Sequence, residues 1–318
     1  MKKISLTALA AVLALSAGAA QAQTISIGTS PVGSSNYALG NALGKVMTEQ
    51  LGLKIRVVPF GGGQQVLPLI NSKELEMAIP ASSDAYFAYN GNGGPFKTPN
   101  KNLRVIGTVF PYYLSWYVKK DSPYKTLADL KGKKIASGFT ANSAQHLSYL
   151  TTIAAFGVKP SDFDGVPVPH VVRGANDFMQ GKIEASTFAI GAGKMSEVDA
   201  KVGGLRWLSM PKDEAAQKRV KALMPGAFID TLEPSKALVG IVGPTNVLNH
   251  DYLIMAGTQM SDDNAYKIAK LLYEQQAKLV AISKIYGRYK KQNLARDHGI
   301  PFHSGAIKFY KEAGIWKR

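Results

Sequence analysis

The residues best equipped for chemistry lie in two short loops. The first is Gly28-Thr29-Ser30-Pro31-Val32-Gly33-Ser34-Ser35-Asn36-Tyr37. It follows the alternating pair Ile25 and Ile27 and precedes a helical pattern in Leu39, Leu43, Val46 and Met47. A strand that turns through glycines and hydroxyls into a helix leaves free backbone N–H groups at the positive end of a helix dipole, which makes an anion cradle. Gly33, Ser34, Ser35 and Asn36 are placed to hold a carboxylate there, with Tyr37 walling the site or donating its hydroxyl; the plainer alternative is that Ser34 or Ser35 only caps the helix. The second loop, Gly138-Phe139-Thr140-Ala141-Asn142-Ser143, precedes a helix with Leu147, Leu150 and Ala154 at its spacing. Thr140, Asn142 and Ser143 are expected to face the first loop, so that two positive helix ends oppose one acid.

Other groups fit the same chemistry. Arg173, followed by flexible Gly174, is the expected fixed cation, because a guanidinium grips a carboxylate through two parallel bonds; a solvated surface Arg is the alternative. Ser82 and Ser83 follow the buried-type strand Met77-Ala78-Ile79 and offer hydroxyls. Asp84 reads as a helix cap, since a carboxylate would repel an acidic solute. Tyr112, in the pair Tyr112-Tyr113, either stacks on the solute or packs in the core. Ala192, between Gly191 and Gly193, brings backbone toward the ligand or marks a tight turn.

Catalytic constellations are thin, and neither a catalytic residue, a metal nor a cofactor is expected. Gly28 and Gly33 have the spacing of a phosphate-binding loop, but Ser34-Ser35 stand where Lys-Ser/Thr is required, and a dinucleotide fingerprint lacks its second glycine. No Gly-x-Ser-x-Gly elbow occurs. Of five His, only His298 and His303 are close in sequence, and Pro301 between them breaks helical presentation of a metal pair. Asp162 and Asp164 read as a surface-loop pair. Zero Cys excludes thiol catalysis, disulfides and Cys-ligated zinc.

The elements that must position these groups alternate in type. Lys54–Pro59 reads as a strand, Gln64–Ser72 as a helix after Gly61-Gly62-Gly63, Met77–Ile79 as a strand, a helix through Tyr86 to Tyr89 capped by Ser83 or Asp84, and Leu103–Val109 as a strand. Lys133–Ser137, a helix ending at Gly157, the short helix Asn176–Gln180 and the strand Glu184–Ile190 repeat the order. This βαβα grammar predicts α/β folding with a mostly parallel sheet covered on both faces. The apolar segments Leu114–Val118 and Ala237–Val242 are expected to cross between two lobes as a hinge, and one long helix after Ser261 carries Ile268, Leu271, Leu272, Leu279 and Ile282.

Met1-Lys2-Lys3, the apolar run to Ala20 and Ala20-Gln21-Ala22 form a secretory signal, with cleavage expected after Ala22; the run is short for a membrane span. Removing 22 of 318 residues leaves 296, and the net charge falls from +16 to +14 with loss of Lys2 and Lys3. From Asp263 to Arg318 there are 12 Lys/Arg against 4 Asp/Glu, which reads as a solvated basic surface or a contact with an anionic partner. Nucleic acid is not an expected partner of an exported chain without a nucleic-acid motif.

Taken in order, several segments resemble a known family. They are Gly28-Thr29 through Gly33, Tyr37 and Gly40; Gly61-Gly62-Gly63; Glu74-Leu75-Glu76-Met77-Ala78-Ile79; Ser83-Asp84-Ala85-Tyr86 with Tyr89-Asn90-Gly91; Lys101-Asn102-Leu103-Arg104; Asp129-Leu130-Lys131-Gly132-Lys133-Lys134; Gly181-Lys182-Ile183-Glu184-Ala185; and His303-Ser304-Gly305-Ala306 with Tyr310-Lys311-Glu312-Ala313-Gly314. Over essentially the whole mature chain, the sequence resembles the TAXI-type solute-binding subunits of tripartite ATP-independent periplasmic (TRAP) transporters. It departs at Ser30-Pro31, where the family usually has Gly-Gly, at Asn36, where an aromatic is common, and at Thr140–Ser143, which replaces a Gly-Ser-Gly run.

The resemblance implies a type II-like periplasmic binding protein. Two lobes are expected, one from residues 23–115 and 243–318 and the other from 116–242, with a ligand cleft between hinge strands. It implies a non-enzymatic, monomeric, periplasmic receptor that captures a small organic anion, a dicarboxylate or an acidic amino-acid-like compound. The receptor would hand its cargo to an ion-gradient-driven TRAP permease and would not itself span the membrane. The alternatives are a receptor for an ATP-driven importer and a periplasmic hydrolase.

Overall fold

The computed structural model describes residues 24–224 and 227–317, so the expected signal and its cleavage point after Ala22 lie outside the described residues. Strand β1 (Thr24–Thr29) is buried almost throughout because both its edges are occupied: it runs parallel to β2 (Lys54–Pro59) and to β3 (Met77–Ala78). Helices α1 (Ser35–Leu51), α2 (Gly63–Asn71) and α3 (Ser82–Asn90) make the connections. Ser34 caps α1 by accepting from Tyr37 N, and Gly52 ends it in the left-handed conformation at φ 65°. Leu39, Leu43, Val46 and Met47 are the buried stripe that sequence periodicity predicts. Gly40 and Gly44 bring this helix unusually close to the sheet. A Cβ at Gly40 would lie 2.5 Å from Thr29 Cγ2, and one at Gly44 2.9 Å from Ile55 Cγ2.

Strand β4 (Leu103–Lys119) carries the chain out of this first lobe. The second lobe follows as β5 (Lys134–Gly138), α4 (Ser143–Ala155), β6 (Asp164–Val168), α5 (Val171–Met179), β7 (Ser186–Ala189), α6 (Gly193–Val202), β8 (Leu205–Trp207), α7 (Glu214–Leu223) and β9 (Phe228–Leu232). Strand β10 (Thr245–Gly257) then leads back to α8 (Asp262–Glu274), α9 (Gln276–Ile282) and α10 (Ser304–Glu312). The expected two-lobe α/β architecture is present, but the sheet is mixed. β1, β2 and β3 are parallel, as are β5 and β6, whereas β10 runs antiparallel to β3, β4 and β9, and β4 antiparallel to β7 and β8.

β4 and β10 are the shared strands. They pair from Leu103 with Gly257 to Leu114 with Leu248, and the register shifts twice, between Tyr252 and Leu253 and between Ile254 and Met255. Such bulges bend a strand where its pairing changes partner. Beyond that bend β4 pairs with β7 and β8, and β10 with β9. The Leu114–Val118 crossing is therefore part of β4. The second crossing is β10 and not the expected Ala237–Val242, which is a turn held down by Trp207: its Nε1 donates to Val239 O at 2.8 Å and its backbone N to Gly240 O at 3.3 Å, with Gly240 at φ 82°. The single long helix expected after Ser261 is two helices. Gln275 leaves helical dihedrals (φ −105°, ψ 23°), and the Gln276 side-chain amide donates to Tyr286 O and Tyr289 O at 3.0 and 2.9 Å, tying α9 to the short 3-10 turn Lys284–Arg288.

Alanine in a helix interior ordinarily gains stability over glycine, by about 1 kcal/mol. Gly40→Ala should do the opposite here, because the new methyl meets buried Thr29; an overpacking cost of about 1–3 kcal/mol is expected, read as a lower thermal midpoint. A raised midpoint would show that α1 does not sit as close to β1 as described.

Candidate functional site

Loops at the carboxyl ends of strands in both lobes meet along one crevice, as open α/β sheets place their ligand sites. Gly61 and Gly62 lie against the second loop: a Cβ on Gly62 would be 2.9 Å from Asn142 Cγ, and one on Gly61 2.7 Å from Ala141 O. Gln64 Nε2 donates to Thr140 O at 2.9 Å. Gly33, at φ 88°, faces Val172 near the start of α5. The Gly61-Gly62 turn of the first lobe and the Thr140–Ser143 loop of the second thus meet across one crevice, and the Gly28–Tyr37 loop approaches the second lobe at Val172.

The strongest cross-lobe contact is one that sequence reasoning took for a local cap. Asp84 lies in the first turn of α3 but does not cap it. Its Oδ1 accepts from Ser143 Oγ at 2.9 Å, and its carboxylate also accepts from the backbone N–H of Ala144. It therefore caps α4, the helix of the opposite lobe, whose own N-cap Asn142 accepts from Gln145 N. Gly63 packs so close to Asp84 that no Cβ fits between them. Asp84 is 3% exposed, and burial pushes its carboxyl up to about 7 against the lowering by its two hydrogen bonds.

Behind this latch lies a buried polar and aromatic cluster on the shared strands. Tyr112 donates to Gln145 Oε1 at 3.4 Å, and Gln145 Nε2 donates to Thr187 Oγ1 at 3.3 Å. The rings of Tyr112, His250 and Tyr252 are 4.9–5.8 Å apart. Burial pushes the His250 imidazole down to about 4, so it is neutral, and its Nε2 is 3.5 Å from Ser148 Oγ. Burial first, then Tyr112 and Asp84, hold the Tyr252 hydroxyl well above its ordinary value. Ser35 Oγ, Ser83 Oγ and Asp84 Oδ2 are buried without a protein partner, and such groups call for one.

The remaining expected residues divide. Asn36 is buried, but its amide donates to Ile79 O at 2.8 Å and so fastens α1 to the next loop. Ser34 does cap α1, and Tyr37 is half-buried beside it. Ser82, with Ser83, lines a cavity of about 360 Å³ that also holds Tyr86, Asp251 and Arg296. Thr140 and Ser143 line another of about 440 Å³ with Asp84 and His146. Arg173 is not the fixed cation: its half-exposed guanidinium turns along its own helix to Asp177 Oδ2 at 2.9 Å, and Lys182 Nζ lies 3.5 Å from the other oxygen. Ala192 is the uncapped start of α6. It shares a cavity of about 710 Å³ with Ala38, Tyr113 and Arg288.

Sequence reasoning missed Gln145, His250, Tyr252 and Arg288. His250 and Tyr252 needed β10 to be recognised as the second crossing strand, and Gln145 needed α4 to be packed against Tyr112 and Thr187. Arg288 lies between Phe110 and Tyr113, 5.5 and 5.7 Å from their ring centroids, and donates from Nη1 to Ile190 O at 2.8 Å. Burial holds its guanidinium below the usual value. Among the described residues no helix is long and apolar enough to cross a membrane.

Two α/β lobes joined by a pair of continuous strands, with helix starts converging on the crevice, define the periplasmic binding protein fold. The chain belongs to the NMT1-like family, whose model matches residues 27–314. Solved structures share the fold. PhnD1 from Prochlorococcus marinus in complex with methylphosphonate is 11% identical, with a TM-score of 0.57 over 92% of this chain and 98% of that one. A binding protein component of an ABC phosphonate transporter from Pseudomonas aeruginosa is 13% identical, with a TM-score of 0.55 over 82% and 78%. The alkanesulfonate-binding protein SsuA from Xanthomonas axonopodis pv. citri bound to MOPS is 16% identical, with a TM-score of 0.50 over 93% and 94%.

Asp84 and His250 give the site opposite pH responses. A carboxyl raised to about 7 on folding contributes stability that is present below about 4 and lost as pH rises to about 7. An imidazole lowered to about 4 contributes stability present above about 6.5 and lost as pH falls toward 4. Between pH 4 and 6.5 the two slopes, each at most about 1.4 kcal/mol per pH unit, oppose one another. On the background of acid loss from the lowered His170 and His303 imidazoles, urea unfolding from pH 4 to 8 should change less for the native chain than His250 alone would make it. Asp84→Asn should expose a loss of stability toward acid and His250→Gln a loss toward neutral pH; parallel profiles for all three would contradict these environments.

Proposed function

We propose that the chain is an extracytoplasmic receptor that closes two lobes on a small organic anion and presents the closed form to a membrane importer. On this reading the chain before the β4 crossing and after the β10 crossing forms one jaw, and the segment between the crossings forms the other. The observation that carries this reading is the latch from Asp84 to Ser143 and Ala144, with Ser83 Oγ and Asp84 Oδ2 buried at it without a protein partner. A solute that bonds to those atoms gains contacts available only when the lobes are together, which is what drives closure. With its carboxyl near 7, Asp84 binds a proton readily and then donates to an anion instead of repelling it. Gly33, Ser34, Ser35, Asn36, Tyr37, Ser82, Ser83, Tyr112, Thr140, Asn142, Ser143 and Ala192 belong to or border this site.

The importer is better taken as ATP-driven. One structure that shares the fold is a binding protein component of an ABC phosphonate transporter. The ion-driven TRAP permease rests on the sequence resemblance alone. A gene for an ATP-hydrolysing subunit beside this one supports the first choice; a large fused permease gene with no ATPase reverses it. The fold of a receptor and the chain's start, Met1-Lys2-Lys3 before an apolar run, support the periplasm as its location.

Thermal shift against dicarboxylates, acidic amino acids, monocarboxylates, phosphonates and sulfonates tests the receptor reading. A true solute at one hundred times its Kd should add about 2.7 kcal/mol, a rise of about 5 °C. The radius of gyration should fall or stay at its closed value. No shift from any acid would remove the anion-receptor reading.

A further inference from the structure

Resting on that receptor reading, we propose that Arg288 is the cation that selects the solute, and that the cavity before it takes an amphipathic monoanion, a carboxylate or sulfonate head on an apolar body. A guanidinium has five N–H donors. Among the described residues one protein acceptor, Ile190 O, is bonded to Arg288, and no carboxylate lies within 4.0 Å of it. A partly buried cation without a counter-charge is costly unless an anion arrives to meet it. The group is also held still, between the rings of Phe110 and Tyr113 and against Gly191, where a Cβ would collide with it. A donor fork fixed before the anion arrives binds without an ordering cost.

Its place in the fold gives that anion leverage on closure. Arg288 comes from the 3-10 turn after α9, in the first lobe, yet it bonds to the loop before α6, in the second. An anion on this fork also meets the uncapped start of α6, so both lobes hold it.

The cavity in front of Arg288 defines the rest of the solute. It measures about 710 Å³, and its lining holds no Asp or Glu; Arg288 also borders a smaller cavity of about 150 Å³ at Phe228, which includes Asp251. Ala192, Leu238, Val239 and Ile285 form apolar wall, and Lys236 and Lys284 add positive charge. An apolar body gains from that wall, while a second carboxylate would lose its water there with one guanidinium already engaged.

Isothermal titration calorimetry with hexanoate, hexane-1-sulfonate, succinate and neutral hexanamide tests this. The native chain should bind the first two and bind succinate and hexanamide at least about 10-fold more weakly. Arg288→Gln should weaken hexanoate and hexane-1-sulfonate by about 10- to 100-fold. Leu238→Glu leaves the bond of Arg288 to Ile190 intact but sets a carboxylate at the cavity wall. It should weaken both probes similarly, and it carries the test alone if Arg288→Gln fails to fold. Undiminished binding by these variants, equal binding of hexanamide, or preference for succinate would overturn the role of Arg288 and leave the receptor standing. Absence of binding by any acid in the wider panel would overturn both.

Discussion

The antiparallel pairing of β4 with β10 is the constraint on which the rest of the molecule depends. These two strands belong to both lobes, so their ladder fixes where each lobe begins and in which direction it can turn. Every group in the crevice is placed from them. Tyr112 stands on β4 and His250 and Tyr252 on β10, while the loops that bear Ser83 and Ala192 follow strands hydrogen-bonded to one or the other. The register shifts after Tyr252 and Ile254 lie on the first-lobe side of the crossing, opposite Phe110 to Val105, and bend the ribbon there.

Given that ribbon, the crevice is an arrangement of charges that would be unstable apart. Asp84 is a buried carboxyl with no cation, held by a hydroxyl and an N–H from the other lobe; Arg288 is a partly buried guanidinium with no anion, held by a carbonyl from the other lobe. Each lobe supplies the polar partners the other lacks. Separating the lobes breaks both contacts.

Local signals in the sequence were sufficient for the helix starts. Ser34 and Asn142 are caps because a hydroxyl or amide beside a strand-to-helix turn has a donor two or three residues on. The same logic failed for Asp84, which does cap a helix, but one about sixty residues away that only tertiary structure brings to it. Arg173 invited a ligand role although Asp177 stands four residues on, where helical geometry pairs them. His250 and Tyr252 stayed hidden because the apolar run Ala237–Val242 looked more like a strand than Thr245–Gly257, whose mixed polar residues point into the crevice. Arg288 lay in a basic stretch that reads as solvent-facing, and nothing local marks one Arg among many Lys as enclosed by Phe110 and Tyr113. The break at Gln275 has no Gly or Pro to announce it.

The two shared strands also set a schedule for the chain as it is made. β4 emerges well over a hundred residues before β10, and β3 likewise waits for its antiparallel neighbour. The intervening lobe is continuous in sequence and is able to collapse while the outer one still lacks its central strand. Pairings this distant form late, since the loop between them must be closed before the contacts form. On the exported reading, that delay keeps the leading hundred residues incomplete, and therefore still threadable, until the last quarter of the polypeptide has followed them.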